Sequence, residues 1–370
     1  MNKKIIVSAG IVAAIVVGLL ALLPGFPAQQ TQHVPQNENL GLIVNTPTSQ
    51  VTLDQLKQVY SEASNTGIGR NNLYVFWNNI EPQQGQYNWK DTDILMSYNK
   101  QNNLKVTLYF SIVNGRLIGP YPDWLGTPGF GSTLQQHTVT VLDAIISRYG
   151  IIDTVIIGGD LDSYFDDAHG SENLYREFFQ SVYTQLKQKH PEVKMGNAFS
   201  LNNVLNKNIE NYVTDFNDLG DFVAFTYLPV DRINDITKSP QEAQDDLKKA
   251  LELVPEKKIA FFELSWSTSD LVDGKEADQA QFIKNAYDFY RTNESKIQFF
   301  TWYRQYDRQE GTCSIDQNFP ESQVSIAGDQ YVRERLASYT CNAGLLKTDN
   351  TAKPAWDELK KQIQMINSAG

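Results

Sequence analysis

Eight short apolar runs, spaced along the chain and separated by amphipathic stretches, constrain this sequence more than any other feature. They are Leu40–Val44, Leu73–Phe76, Leu104–Phe110, Thr154–Ile157, Val193–Met195, Phe222–Thr226, Lys258–Phe262 and Ile297–Trp302. Each has the length of a strand and is apolar almost throughout, the mark of a strand buried on both faces. Helical signals fall between them. Thr52-Leu-Asp-Gln55 reads as a capping box ahead of Leu53, Leu56, Val59 and Tyr60. Leu134, Thr138, Val141, Leu142, Ile145 and Tyr149 form one stripe, and Leu174, Phe178, Val182 and Leu186 another. Ser239-Pro240-Gln241-Glu242 combines an N-cap, a proline at the first helical position and a reciprocal glutamate. Segments 277–290 and 355–365 complete the helical set. Eight such units predict an α/β fold, a closed (β/α)8 TIM barrel, over residues 39–366. An open dinucleotide-binding sheet lacks support, because no G-x-G-x-x-G follows the first strand.

The N-terminus carries a different signal. Lys3 and Lys4 precede an uncharged apolar stretch from Ile5 to Leu23. It exceeds the usual signal-peptide core, approaches the roughly 20 residues needed to span a bilayer, and has a poor cleavage site, with Phe26 two residues before Ala28. The reading favours a transmembrane helix at 5–23 after a cytoplasmic stub at 1–4, over a cleaved signal that would leave a secreted protein. The Pro- and Gln-rich stretch 24–38 follows as a tether. With the lysines inside, the barrel is expected outside the cell. Cys313 and Cys341 agree with an oxidising location; a disulfide and two separate buried thiols are both open. Asn293-Glu294-Ser295 permits glycosylation. A net charge of -11 and a pI near 4.9 argue against a nucleic-acid partner. The oligomeric state is not readable.

In a barrel of this kind the site lies where the strands end. Asn45 follows the first strand; Trp77, Asn78 and Glu81 the second; Asn114 the third. Asp160 and Asp162 end the fourth, Tyr227 the sixth, Glu263 and Trp266 the seventh, and Trp302, Tyr303 and Asp307 the eighth. Aromatic faces stack on sugar C–H groups, while amides and acids bond hydroxyls, so the inventory suits a carbohydrate. Two carboxyl groups flanking one glycosidic bond are the minimum for its hydrolysis. Asp166 and Asp167 read as solvated acids rather than calcium ligands, Glu81 as structural. His33, His137, His169 and His190 show no paired metal-ligand spacing, and no C-x-x-C, P-loop or G-x-S-x-G occurs. No metal or cofactor is expected.

Several motifs resemble those of clan A glycoside hydrolases of the xylanase and β-galactosidase type. "FWNNIEPQQGQYNWKDTD" (76–93) resembles their W-x-x-I-E-P-x-x-G-x-Y-x-W-x-x-x-D stretch. "YPDWL" (121–125), "IIGGDLDSYF", "KKIAFFELSWSTS", "FFTWYRQYD" and "CNAGLLKTDNTAKPAWDELKK" resemble the third, fourth, seventh and eighth strand ends and the closing segment, in order. The resemblance implies that Glu263 is the catalytic nucleophile, Trp302 a floor for the sugar, and Tyr227 a partner holding the nucleophile. Trp77, Asn114 and Trp266 are further substrate-binding candidates. One departure matters. The family's Asn-Glu pair is Gly159-Asp160 here, so the acid/base is one methylene shorter and the amide is absent. Two expectations follow: a working hydrolase with Asp160 as acid and Glu263 as nucleophile or base, or a catalytically degenerate barrel that binds glycan without cleaving it.

Overall fold

The computed structural model of the protein describes residues 5–6, 34–168, 170–313 and 329–369. Eight parallel strands close on themselves: β1 (Asn37–Leu42), β2 (Ile68–Val75), β3 (Lys105–Asn114), β4 (Ile152–Gly159), β5 (Lys194–Ser200), β6 (Phe222–Tyr227), β7 (Lys258–Leu264) and β8 (Ile297–Trp302). Each pairs with its neighbour in sequence, and β8 returns to β1 with Phe300 opposite Leu40 and Trp302 opposite Leu42. A two-residue strand, Leu117–Ile118, adds an antiparallel hairpin to β3. All eight predicted strands are present. The first begins at Asn37, inside the stretch read as a tether.

The helices cover the outside: α1 (Leu53–Ser64), α2 (Lys90–Gln101), α3 (Ser132–Arg148), α4 (Glu172–Lys189), α5 (Pro240–Leu253), α6 (Glu276–Asn293), α7 (Gln330–Cys341) and α8 (Pro354–Ala369). Two starts were legible in the sequence. The Thr52 hydroxyl accepts from the Gln55 N–H while the Gln55 side chain accepts from the Thr52 N–H. Ser239 and Glu242 repeat the arrangement, with Pro240 opening the helix. Each such cap stabilises its helix by about 1 kcal/mol.

Strand residues sort onto two faces. Leu108, Val155, Phe225, Phe261 and Phe300 point outward and pack with helix residues such as Leu142, Phe178, Leu247 and Leu359 in one continuous core. Tyr109, Ile156, Ala198, Ala224, Ala260, Phe262 and Phe299 point inward, joined by Tyr74. Alanines facing phenylalanines let the narrow interior fill with side chains. The lower end is closed by Arg70, 2% exposed, whose guanidinium bonds both carboxylate oxygens of Asp153 at 2.6 and 2.7 Å and Thr107 at 2.9 Å. It also lies 5.2 Å over the Phe299 ring.

Cys313 and Cys341 form a disulfide, which settles the alternatives left open above. It ties the end of α7 to the loop after β8. Among the described residues no helix is long and apolar enough to cross a membrane. Ile5–Ile6 pair antiparallel with Gln50–Val51; the rest of the expected anchor at 5–23, and most of the tether, lie outside the described residues, as do His33 and His169.

Candidate active site

The fourth strand delivers its acid through an unusual turn. Gly158 and Gly159 end β4 with no side chains, and Asp160 then adopts a left-handed backbone, φ 49° and ψ 46°, before the short helix Leu161–Asp167. An L-residue other than glycine pays of order 1 kcal/mol for that conformation, and such residues gather at functional sites. The turn aims the Asp160 carboxyl across the barrel mouth to β6, where the Thr226 hydroxyl donates to it at 2.6 Å. Gly159 is also forced. A Cβ there would lie 2.5 Å from the Tyr109 hydroxyl oxygen, so the asparagine expected from the family pattern has no room.

The seventh strand delivers Glu263 by an irregularity. Ile259 and Phe261 face outward, and Ala260 and Phe262 inward. Strict alternation would turn Glu263 out. The register of β7 shifts against β6 between Phe261 and Glu263, and Glu263 takes Thr226 as its Cα partner. A bulge of this kind re-aims a side chain. Glu263 thereby reaches the interior, where the Tyr74 hydroxyl on β2 donates to its Oε1.

Asp160 and Glu263 line one cavity of about 400 Å³, with Thr226 between them. Ser163, Asn202, Asn203 and Asn206 supply further polar groups to its wall. Asp162 sits behind, fully buried; it accepts from the Ser200 N–H at 2.7 Å and from the Asn203 amide. Asp166 and Asp167 are ion-paired with Lys207 and Arg116.

Burial sets the proton affinities. Glu263 is pushed up to about 7 by burial, with the charge of Arg304 opposing. Burial also raises Asp160, against the pull of the Thr226 hydrogen bond. Asp162 rises through burial and then through the charge of Asp160 beside it. Burial thus favours the protonated form of both carboxyls on either side of the polar cleft.

The predicted site is only partly assembled. Asp160 and Glu263 share the cavity. Asn114 is half-buried at the end of β3, in register with Gly159. The four aromatic candidates are absent from the lining of this cavity. Tyr227 faces outward, and its hydroxyl donates to Asp246 of α5 at 2.9 Å rather than holding Glu263. Trp302 is 1% exposed and packs on Phe282 of α6. Trp266 packs on the same ring, centroids 5.1 Å apart. Trp77 is fully buried against Phe110, Tyr121 and Trp124, with its Nε1 donating to Glu81 at 2.7 Å. Glu81 is structural, as read from the sequence; it also accepts from the Gly85 N–H. Sequence reasoning passed over Tyr74 and Thr226. Each puts a hydroxyl in an apolar strand, one residue before its last apolar or aromatic position, and that was the available signal.

A closed parallel barrel with two carboxyls at the C-terminal mouth of its strands is the architecture of clan A glycoside hydrolases, and this chain shares their fold. Among solved structures it resembles a GH5_18 variant from Bifidobacterium longum in complex with Manb1-4GlcNAc, with a TM-score of 0.64 and 11% identity over 90% of this chain and 79% of that one. Xylanase 10B from Thermotoga maritima gives a TM-score of 0.58 and 13% identity over 90% of this chain and 96% of that one. The exo-beta-1,4-mannosidase Op5Man5 from Opitutaceae bacterium strain TAV5 gives 0.66 and 12%, over 92% and 62%. In sequence, Endo-1,4-beta-xylanase 3 of Hypocrea jecorina is 30% identical over 73 residues, a span of 20% of either chain. No family model matches the chain.

Proposed function

We propose that the protein is a glycoside hydrolase, held at the outer face of a membrane by residues 5–23, that cleaves O-glycosidic bonds with Asp160 as general acid and Glu263 as nucleophile. The observation that carries this reading is the pair of enclosed carboxyls lining one cavity at the strand ends, each bonded by a hydroxyl from a different strand. Protonated Asp160 gives its proton to the leaving oxygen as the C–O bond breaks. Ionised Glu263 attacks the anomeric carbon, and Tyr74 holds its carboxylate in line. Water, losing a proton to Asp160, then attacks the glycosyl ester and frees the sugar and Glu263. Asp160→Asn and Glu263→Gln, made separately and assayed on aryl glycosides and a glycan panel, are each expected to lose at least about 10³-fold in kcat. Activity persisting in both variants would sink the assignment.

A specific observation favours a second reading. Tyr109 fills the place of an amide that would bond the sugar, and Asp160 is short and engaged with Thr226. On that reading the barrel binds glycan without cleaving it. Saccharide binding by the parent protein, with no turnover across the panel, would select it.

A further inference from the structure

The cavity is lopsided about its two carboxyls. Glu263 is the one residue that β7 gives it; most of the wall comes from the ends of β3 to β6 and the loops that follow them, with Val332 and Leu336 added by α7. Asp160 belongs to that larger part. A general acid gives its proton to the leaving oxygen, so whatever that oxygen carries must lie on the Asp160 side of the cleft. The wall there includes one face of the short helix Leu201–Lys207, which follows β5 directly.

This helix, "LNNVLNK", buries Leu201 and Val204, while Asn202, Asn203 and Asn206 line the cavity. Asn206 lies four and three residues after the other two, so the three amides share a face. Asparagine is a weak helix former, so three within seven residues weaken this helix and need another reason for being there. Each amide is turned by its neighbours. The Leu228 N–H, which can only donate, meets Asn202 Oδ1 at 3.4 Å, and the Ser200 hydroxyl donates to the same oxygen at 3.1 Å; what Asn202 has left is Nδ2. The Val230 carbonyl, which can only accept, takes Asn206 Nδ2 at 2.9 Å and leaves Oδ1. Asn203 spends its nitrogen on the Asp162 carboxyl and, at 3.2 Å, on the Ser163 hydroxyl, again leaving Oδ1. Ser163 ties this amide to the acid, since its N–H donates to the Asp160 carbonyl at 2.9 Å. The wall beside Asp160 thus offers one donor and two acceptors in fixed directions.

We propose that Asn202, Asn203 and Asn206 form the site for the leaving group, and that this group is itself a sugar, whose hydroxyls donate to Asn203 and Asn206 and accept from Asn202. The proposal rests on the glycan-acting reading above. An alkyl or lipid alcohol has the same kind of leaving oxygen but no hydroxyl to donate, and would strip water from two amide oxygens without replacing it. Leu228, Val332 and Leu336 also line the cavity, so an alkyl chain has a surface of its own there and the comparison can go against the proposal.

The test uses the full-length protein on β-linked disaccharides of glucose, mannose and xylose, each paired with the hexyl β-glycoside of the same non-reducing sugar. Both members of a pair release an alkoxide oxygen, so the bond broken is matched. For the pair that is cleaved, kcat/KM is expected to favour the disaccharide at least about tenfold. Asn206→Ala should lower that preference about three- to tenfold, the worth of one neutral hydrogen bond, and Asn206→Leu should turn it toward the hexyl glycoside. The preference is a ratio within one sample, so a partly unfolded variant does not imitate its loss. A hexyl glycoside cleaved as well as its disaccharide, or a ratio unchanged in both variants, overturns the proposal while the hydrolase reading stands. Where no pair is cleaved, the same ratio is read from Kd. A disaccharide preference that Asn206→Ala lowers then supports the sugar site and removes the hydrolase reading; equal Kd values, or binding to no saccharide, overturn both.

Discussion

Tyr74 and Thr226 each present a hydroxyl to one of the two carboxyls, and this division gives separable effects. A donated hydrogen bond favours the ionised acid. Removing it in Tyr74→Phe raises Glu263 further, so the acidic limb of a bell-shaped rate profile moves to higher pH. The variant should also lose roughly 10- to 100-fold in kcat, the worth of a hydrogen bond to a charged group. Thr226→Val raises Asp160 and moves the alkaline limb upward instead. Profiles in which both substitutions move the same limb would contradict the assignment. Stability follows the same chemistry. Glu263 has a folded pKa raised from 4.5 to about 7. Its contribution is therefore complete below the unfolded value and is lost as pH rises through about 7. Glu263→Gln should raise the melting temperature more at pH 8 than at pH 5, a difference worth roughly 2.5 kcal/mol.

At the scale of elements, α7 stands between β8 and the closing helix and brings Val332 and Leu336 to the cavity wall. It is fastened at its start by Tyr331 and Arg335 to Asp235, and at its end by the disulfide. Replacing Cys313 and Cys341 by serine should cost about 3 kcal/mol in denaturant unfolding. If α7 shapes the sugar site, KM should rise more than kcat falls. Strand number, order and two helix caps were legible in the sequence because they rest on local patterns. Side-chain phase was not. When both faces of a strand are apolar, "FTY" on β6 and "FTW" on β8 look alike inside and out. Tyr227 and Trp302 were placed one residue out of phase, and Thr226 took the inward position. Glu263 was singled out by its place at the end of an apolar strand and by the family resemblance, while the bulge that turns it inward left no mark in the alternation.

Across the whole molecule, closure links distant parts of the chain. The Asn367 side chain donates to the carbonyls of Pro35 and Gly67, and buried Lys353 pairs with Asp307 at 2.8 Å. Removing residues 354–370 takes Leu359 and Ile363 out of the core, and the truncated chain should lose the single cooperative unfolding transition expected of the intact protein by calorimetry. Arg70 has a further consequence. Because it stoppers the floor, a sugar that comes in at the top has one doorway for arrival and departure. Fragments just released therefore queue against newcomers, and a turnover assay with added product should show competition for the free enzyme rather than a lowered ceiling on rate.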